Sequence, residues 1–82
     1  MRFEPYQRIA LSRDVPEHQL QRGDIATLVD EVVHPDDGEV GCVLEIFNAI
    51  GESIRVVALP ASAIELLRAD EVIAVRSLES LT

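Results

Sequence analysis

Five short runs rich in Val, Ile and Leu, separated by turn-forming residues, constrain this chain more than any other feature of it. They are Arg8–Leu11, Asp24–Val33, Val40–Phe47, Glu52–Leu59 and Glu71–Ser77, mostly of strand length and β-branched composition. Between them lie Asp14-Val15-Pro16, His34-Pro35-Asp36-Asp37-Gly38 and Asn48-Ala49-Ile50-Gly51, which carry loop chemistry. In the third run Val40, Cys42, Leu44 and Ile46 share one face and Gly41, Val43, Glu45 and Phe47 the other. That period of two is the mark of a half-buried strand, and it points Cys42 into the core as an inert thiol. In the fourth run Ile54, Val56 and Ala58 alternate with Arg55, Val57 and Leu59, so both faces are partly apolar and some of that surface is expected outside. Pro60–Leu67 places Ala, Ile, Glu and Leu at roughly helical spacing behind a proline suited to a first turn, which predicts one or two helical turns before the last strand.

A chain of 82 residues and 9.1 kDa is one domain. Folding at that mass buries only about 60% of the area the unfolded chain exposes, so nearly every apolar run must contribute to the core. Five short strands in so small a unit must also protect their edges. The expectation is therefore a mostly β fold, a small, partly closed five-stranded antiparallel barrel of the SH3-like kind. An OB-type barrel ranks second, because it usually needs longer strands and its oligonucleotide-binding role conflicts with the charge.

That charge is 7 − 15 = −8, while 48% of residues are hydrophobic, which opposes a disordered acidic tail. An acidic chain with a few dispersed arginines cannot neutralise a row of phosphates, so nucleic acid is an unfavoured partner. All seven basic residues are arginine, which excludes Schiff-base and P-loop lysines. Cys42 is the single cysteine and forms no intrachain disulfide; Met1–Arg8 has no signal-peptide core, and a cytoplasmic location is expected. The longest uncharged stretch, Val56–Ile64, is far too short to cross a bilayer of about 30 Å.

Ile9-Ala10-Leu11, Asp14, Pro16, Leu20, Gly23, Thr27 and Val29, followed by Glu45-Ile46-Phe47, Gly51, Leu59-Pro60-Ala61-Ser62 and Val75-Arg76, resemble the small bacterial proteins of domain of unknown function 4926 over roughly residues 6–76. The resemblance implies an SH3-like barrel and a free-standing prokaryotic protein; it implies no activity, cofactor or catalytic residue. Arg22–Val29 is also similar to a strand-turn element of barrels that uses two glycines, but Ala26 stands at the second glycine position and lacks cheap access to positive φ. The basic loops with which ribosome-binding relatives of that element hold RNA are replaced here by Asp24, Asp30 and Glu31.

Candidate chemistry is sparse. His34–Glu39 concentrates three carboxylates and an imidazole, oxygens that suit a hard cation, but the spacing is not that of an EF-hand and Asp-Gly supplies ordinary hairpin chemistry. His18 and His34 have no nucleophile placed beside them by sequence, and Ser12, Ser53, Ser62, Ser77 and Ser80 sit in no Gly-x-Ser-x-Gly elbow. Arg22-Gly23-Asp24 matches an adhesion tripeptide but is better read as the opening of the second strand. Asp30-Glu31 and Asp70-Glu71 flank strand ends, where carboxylates discourage edge association. Collectively the acidic surface could also steer a basic protein onto the domain.

No catalytic, cofactor-binding or metal residue is therefore expected. The reading is a non-enzymatic protein–protein interaction module, an acidic partner or antitoxin-like protein. Its expected interaction surface is Val43, Phe47 and Val57, able to hold a homodimer. The competing reading is an accessory domain or small subunit of a (metallo)enzyme complex. With a charge of −8 the chain is expected to shift neither duplex nor single-stranded nucleic acid in a mobility assay at physiological salt. A salt-sensitive shift would overturn that expectation.

Overall fold

The computed structural model describes residues 6–33 and 39–78. Five strands, β1 (Arg8–Leu11), β2 (Ile25–Val33), β3 (Val40–Phe47), β4 (Ser53–Pro60) and β5 (Ile64–Leu66), form one antiparallel sheet in the order β4-β3-β2-β1-β5. Helical structure among the described residues is limited to two 3-10 turns, Pro16–His18 and Ala61–Ala63. No helix among the described residues is long and apolar enough to cross a membrane. The five-stranded antiparallel architecture is as expected, but the closure is not. The outer strands β4 and β5 do not pair, so the sheet is open rather than a barrel.

β3 alternates as the sequence requires, with Cys42, Leu44 and Ile46 buried and the thiol of Cys42 sealed from solvent. Directly opposed residues on an antiparallel ladder share a face, so the pairs Leu28↔Leu44, Leu44↔Val57, Cys42↔Leu59, Ile9↔Ala26 and Leu11↔Ile64 set the inner face across the whole sheet. Two register breaks bend it. Val29 has no partner between Leu28↔Leu44 and Asp30↔Val43, which turns Asp30 outward instead of opposite Cys42. Ile54 is the extra residue between Ile46↔Arg55 and Phe47↔Ser53, and it packs against the core although Val56 and Ala58 on the same strand are exposed.

With no α-helix to cover the inner face, the β1–β2 connection does so. Pro16 opens a 3-10 turn, Gln19 takes a left-handed conformation at φ 60, and the chain returns so that Val15 and Leu20 exchange backbone hydrogen bonds of 2.9 and 3.1 Å. Both side chains are buried in the core beside Ile9, Leu11 and Leu28. Gly23, at φ +91, makes the turn into β2, a conformation that costs glycine nothing and other residues about a kilocalorie per mole. Ala26 lies within the strand, opposite Ile9, and plays no part in the turn. Ser12 ties the loop to the second 3-10 turn, donating from its N–H to Ala63 at 2.8 Å and from Oγ to the Ser62 carbonyl at 2.9 Å.

Two elements differ from expectation. Pro60–Leu67 holds one 3-10 turn and then β5 in place of helix, because Ile64, Glu65 and Leu66 also alternate at period two and the free side of β1 accepts them. Glu71–Ser77, expected as the fifth strand, joins no ladder. By the time the chain reaches it, β1 is paired on both sides, by β2 and β5. It runs as an arm outside any strand or helix. The inner face predicts its own energetics: Leu44→Ala should cost about 2–5 kcal/mol of stability in denaturant unfolding. Val56→Ala on the outer face should change it by less than about 0.5 kcal/mol. Equal effects would show that the face assignment is wrong.

Candidate functional site

The turn that precedes β2 places a carboxylate where local backbone groups hold it. Asp24 donates its N–H to the Gln21 carbonyl at 3.0 Å, and its Oδ2 accepts the Gln21 N–H at 2.8 Å, so side chain and backbone close the same turn. Asp14 Oδ1 likewise accepts the Arg22 N–H at 2.8 Å. Onto this fixed carboxylate comes Arg76 from the C-terminal arm, 52 positions away, with Nε 2.8 Å from Oδ1 and Nη2 on Oδ2. The same Nη2 donates to the Gln19 carbonyl at 3.0 Å. This is the two-pronged geometry in which a planar guanidinium matches a carboxylate, and the side chains are only 31% and 17% exposed. The other described ion pair, Arg68–Asp70, is a single contact in open solvent and contributes little.

A second arginine serves the same loop. Arg55 of β4 donates from Nη1 to the His18 carbonyl and reaches Gln19 Oε1 at 3.5 Å from Nη2. The 3-10 turn and its left-handed Gln19 are thus held from β4 on one side and from the arm on the other. Burial pushes the Asp24 carboxyl up, but the hydrogen bonds from Arg76 and the Gln21 N–H, with the charge of Arg76, outweigh it and hold the group below the ordinary carboxylate range. The hydrogen bond to Asp24 holds Arg76 above its own ordinary value.

Between the arm and the sheet end lies an open cleft of about 770 Å³, within the range that holds small ligands or peptide side chains. Leu20, Ile25, Phe47, Ile54 and Ile73 give it an apolar wall, and Asp24 gives it a charged end. Phe47 stands at the β3–β4 hairpin, whose tip is fixed by Asn48. The Asn48 Oδ1 accepts the N–H groups of Ile50 and Glu52 at 3.1 and 2.9 Å, and Gly51 supplies the positive φ of +86. The arrangement offers hydrogen-bond acceptors and an apolar wall, with Arg8 and Arg76 also on the lining. It holds the Arg76 guanidinium on the Asp24 carboxylate.

The three residues expected to form an interaction surface are not brought together. Phe47 is 44% exposed and lines the cleft, Val43 is half-buried, and Val57 is 5% exposed inside the core. Val57 faces inward because it pairs with Leu44, whose side is fixed by the β3 alternation, so Val56 takes the outer position. His34–Gly38 lies outside the described residues, and among the described residues no group of three or more His, Cys, Asp or Glu gathers. Sequence reasoning placed Asp24 in the second strand and missed its role as anchor of a preceding turn. A family model described as Domain of unknown function (DUF4926) matches residues 6–66, ending with β5 and ahead of the Val75-Arg76 pair. No curated protein and no solved structure matches the chain.

Because the folded Asp24 pKa is depressed, the ion pair is fully formed above the unfolded value of about 3.9 and is lost only as pH falls through the lower folded value. The NMR signal of the Arg76 Nε–H is therefore expected to hold its position from pH 7 to about 4 and to move below that. Asp24→Asn should give the released position already at pH 7. A midpoint above the ordinary aspartate value would overturn the assignment.

Proposed function

Because the chain belongs to the family Domain of unknown function (DUF4926), which marks out residues 6–66 as a unit and prescribes no chemistry, we propose that this unit is a non-enzymatic protein–protein interaction module. The observation that carries this reading is the cleft at the sheet end, an apolar wall of Leu20, Ile25, Phe47 and Ile54 closed at one end by the oriented Asp24 carboxylate. Apolar anchors beside an oriented charge are what protein interfaces use for affinity and register. The remaining chemistry points the same way. The best-held carboxylate is committed to a guanidinium, and Cys42 is sealed in the core. A charge of −8 favours a basic partner through long-range attraction that speeds encounter.

The strand order, with a 3-10 turn before the short last strand, supports the SH3-like reading of the sheet. Self-association through the outer face is a second reading, favoured by Val32 on β2 and Val56 on β4, both exposed on that face.

Affinity capture with the tagged chain from its native cells tests the reading. A protein should be retained at physiological salt, released progressively as salt shortens the screening length to about 3 Å at 1 M, and lost with Phe47→Glu. Retention that Phe47→Glu leaves unchanged, or recovery of nucleic acid alone, would overturn it. Light scattering of the purified chain reads the second possibility directly, since a mass of 9.1 kDa at micromolar concentration rules out a homodimer.

A further inference from the structure

The carboxylate of the cleft already has a ligand, the guanidinium of the chain's own arm. Residues 73–78 of the arm form one side of the cleft, Val72 and Val75 are 92% and 95% exposed, and no backbone ladder joins the arm to the sheet. A segment held through one guanidinium rather than through a ladder is easily exchanged. We propose that the cleft recognises an extended peptide segment bearing an arginine with an apolar residue three positions before it. In this proposal Arg76 holds Asp24 and the Gln19 carbonyl in cis until the arginine of a partner's segment displaces it. The proposal rests on the interaction-module reading and names the chemistry of the partner.

Three features make the site specific for arginine. Asp24 is oriented before any ligand arrives, because the Gln21 N–H holds Oδ2 at 2.8 Å. The Gln19 carbonyl, presented by a left-handed residue that Arg55 braces through the neighbouring His18 carbonyl and the Gln19 side chain, accepts a third hydrogen bond from the guanidinium. Ile73, three residues before Arg76, lines the same cleft as Phe47 and Ile54, which sets the spacing proposed between the apolar and charged groups. A lysine ammonium, as a single point charge, cannot satisfy both carboxylate oxygens and the carbonyl in one plane. Charge complementarity extends beyond the cleft, since a chain of −8 attracts arginine-bearing segments generally. The tethered arm competes at the millimolar effective concentration typical of a short linker, so a partner in trans is admitted only if it binds well or arrives in excess.

The test uses the full chain and a fluorescent peptide with the sequence of residues 71–78. Arg76→Ala, which empties the carboxylate without touching the sheet, should bind the peptide about tenfold more tightly than the wild type does. Asp24→Asn added to it should abolish that binding, and lysine in place of the peptide's arginine should weaken it about tenfold. A native circular-dichroism spectrum and a cooperative thermal transition above the assay temperature for each variant establish that loss of binding is not loss of fold. Equal peptide affinity for wild type and Arg76→Ala, or equal affinity for the arginine and lysine peptides, overturns the proposal. So does a wild-type dimer that Arg76→Ala dissolves, because the arm would then serve a second copy. If cells yield a protein partner but the peptide fails, the site is wrong and the module stands; if neither binds, both fall.

Discussion

An open five-stranded sheet with no α-helix among the described residues has one apolar face and little to cover it, and the burial of that face under the β1–β2 connection is what the rest of the structure depends on. Val15 and Leu20 bridge each other across a 3-10 turn and enter the core, while Ser12 fastens the loop to the Ala61–Ala63 turn. Without that cover, Leu11, Leu28 and Leu44 would face water across the middle of the sheet. The loop therefore carries a large share of the hydrophobic burial that a unit of this size can muster.

The same loop forms one wall of the cleft. Leu20 belongs to the core, and Gln19, one residue before it, presents the carbonyl that Arg76 uses. Asp24 follows four residues later, at the turn into β2. Recognition chemistry and core packing thus share a single stretch of backbone, and Arg55 from β4 ties that stretch to the far side of the sheet. A ligand that grips Asp24 and Gln19 acts on a segment whose position is already fixed by packing, so little ordering remains to be done on binding.

How much of this was legible in the sequence depends on whether a local pattern or a distant partner decides the outcome. β3 was legible because nothing interrupts its alternation, and Cys42 lies where period two puts it. β4 was legible as a strand but not in phase, because the extra residue at Ile54 forms a bulge that only the pairing with Ile46 and Phe47 reveals. β5 was hidden because Ile64-Glu65-Leu66 satisfies helical and strand spacing equally over three residues, and the vacant side of β1 made the choice. Glu71–Ser77 has strand composition and no free ladder to join, a case of tertiary context overriding propensity. The cleft was the least legible part. Asp24 has seven arginines to choose from in the sequence, and nothing local selects the one 52 residues away.

β1 is four residues long, and its two neighbours come from very different parts of the chain. Arg8–Leu11 pairs with β2 some 15 to 19 positions later, but Leu11↔Ile64 and Ile9↔Leu66 join residues more than 50 apart. On a growing chain, β2, β3 and β4 can form hairpins as soon as they emerge, whereas β1 stays half-paired until residue 66 has been made. Loop closure over that distance must be met before the contacts that reward it exist, which slows folding. During synthesis the domain therefore passes through a stage with an unsatisfied strand edge beside an incompletely covered core. At that stage it is most open to chaperones and to pairing with another nascent chain.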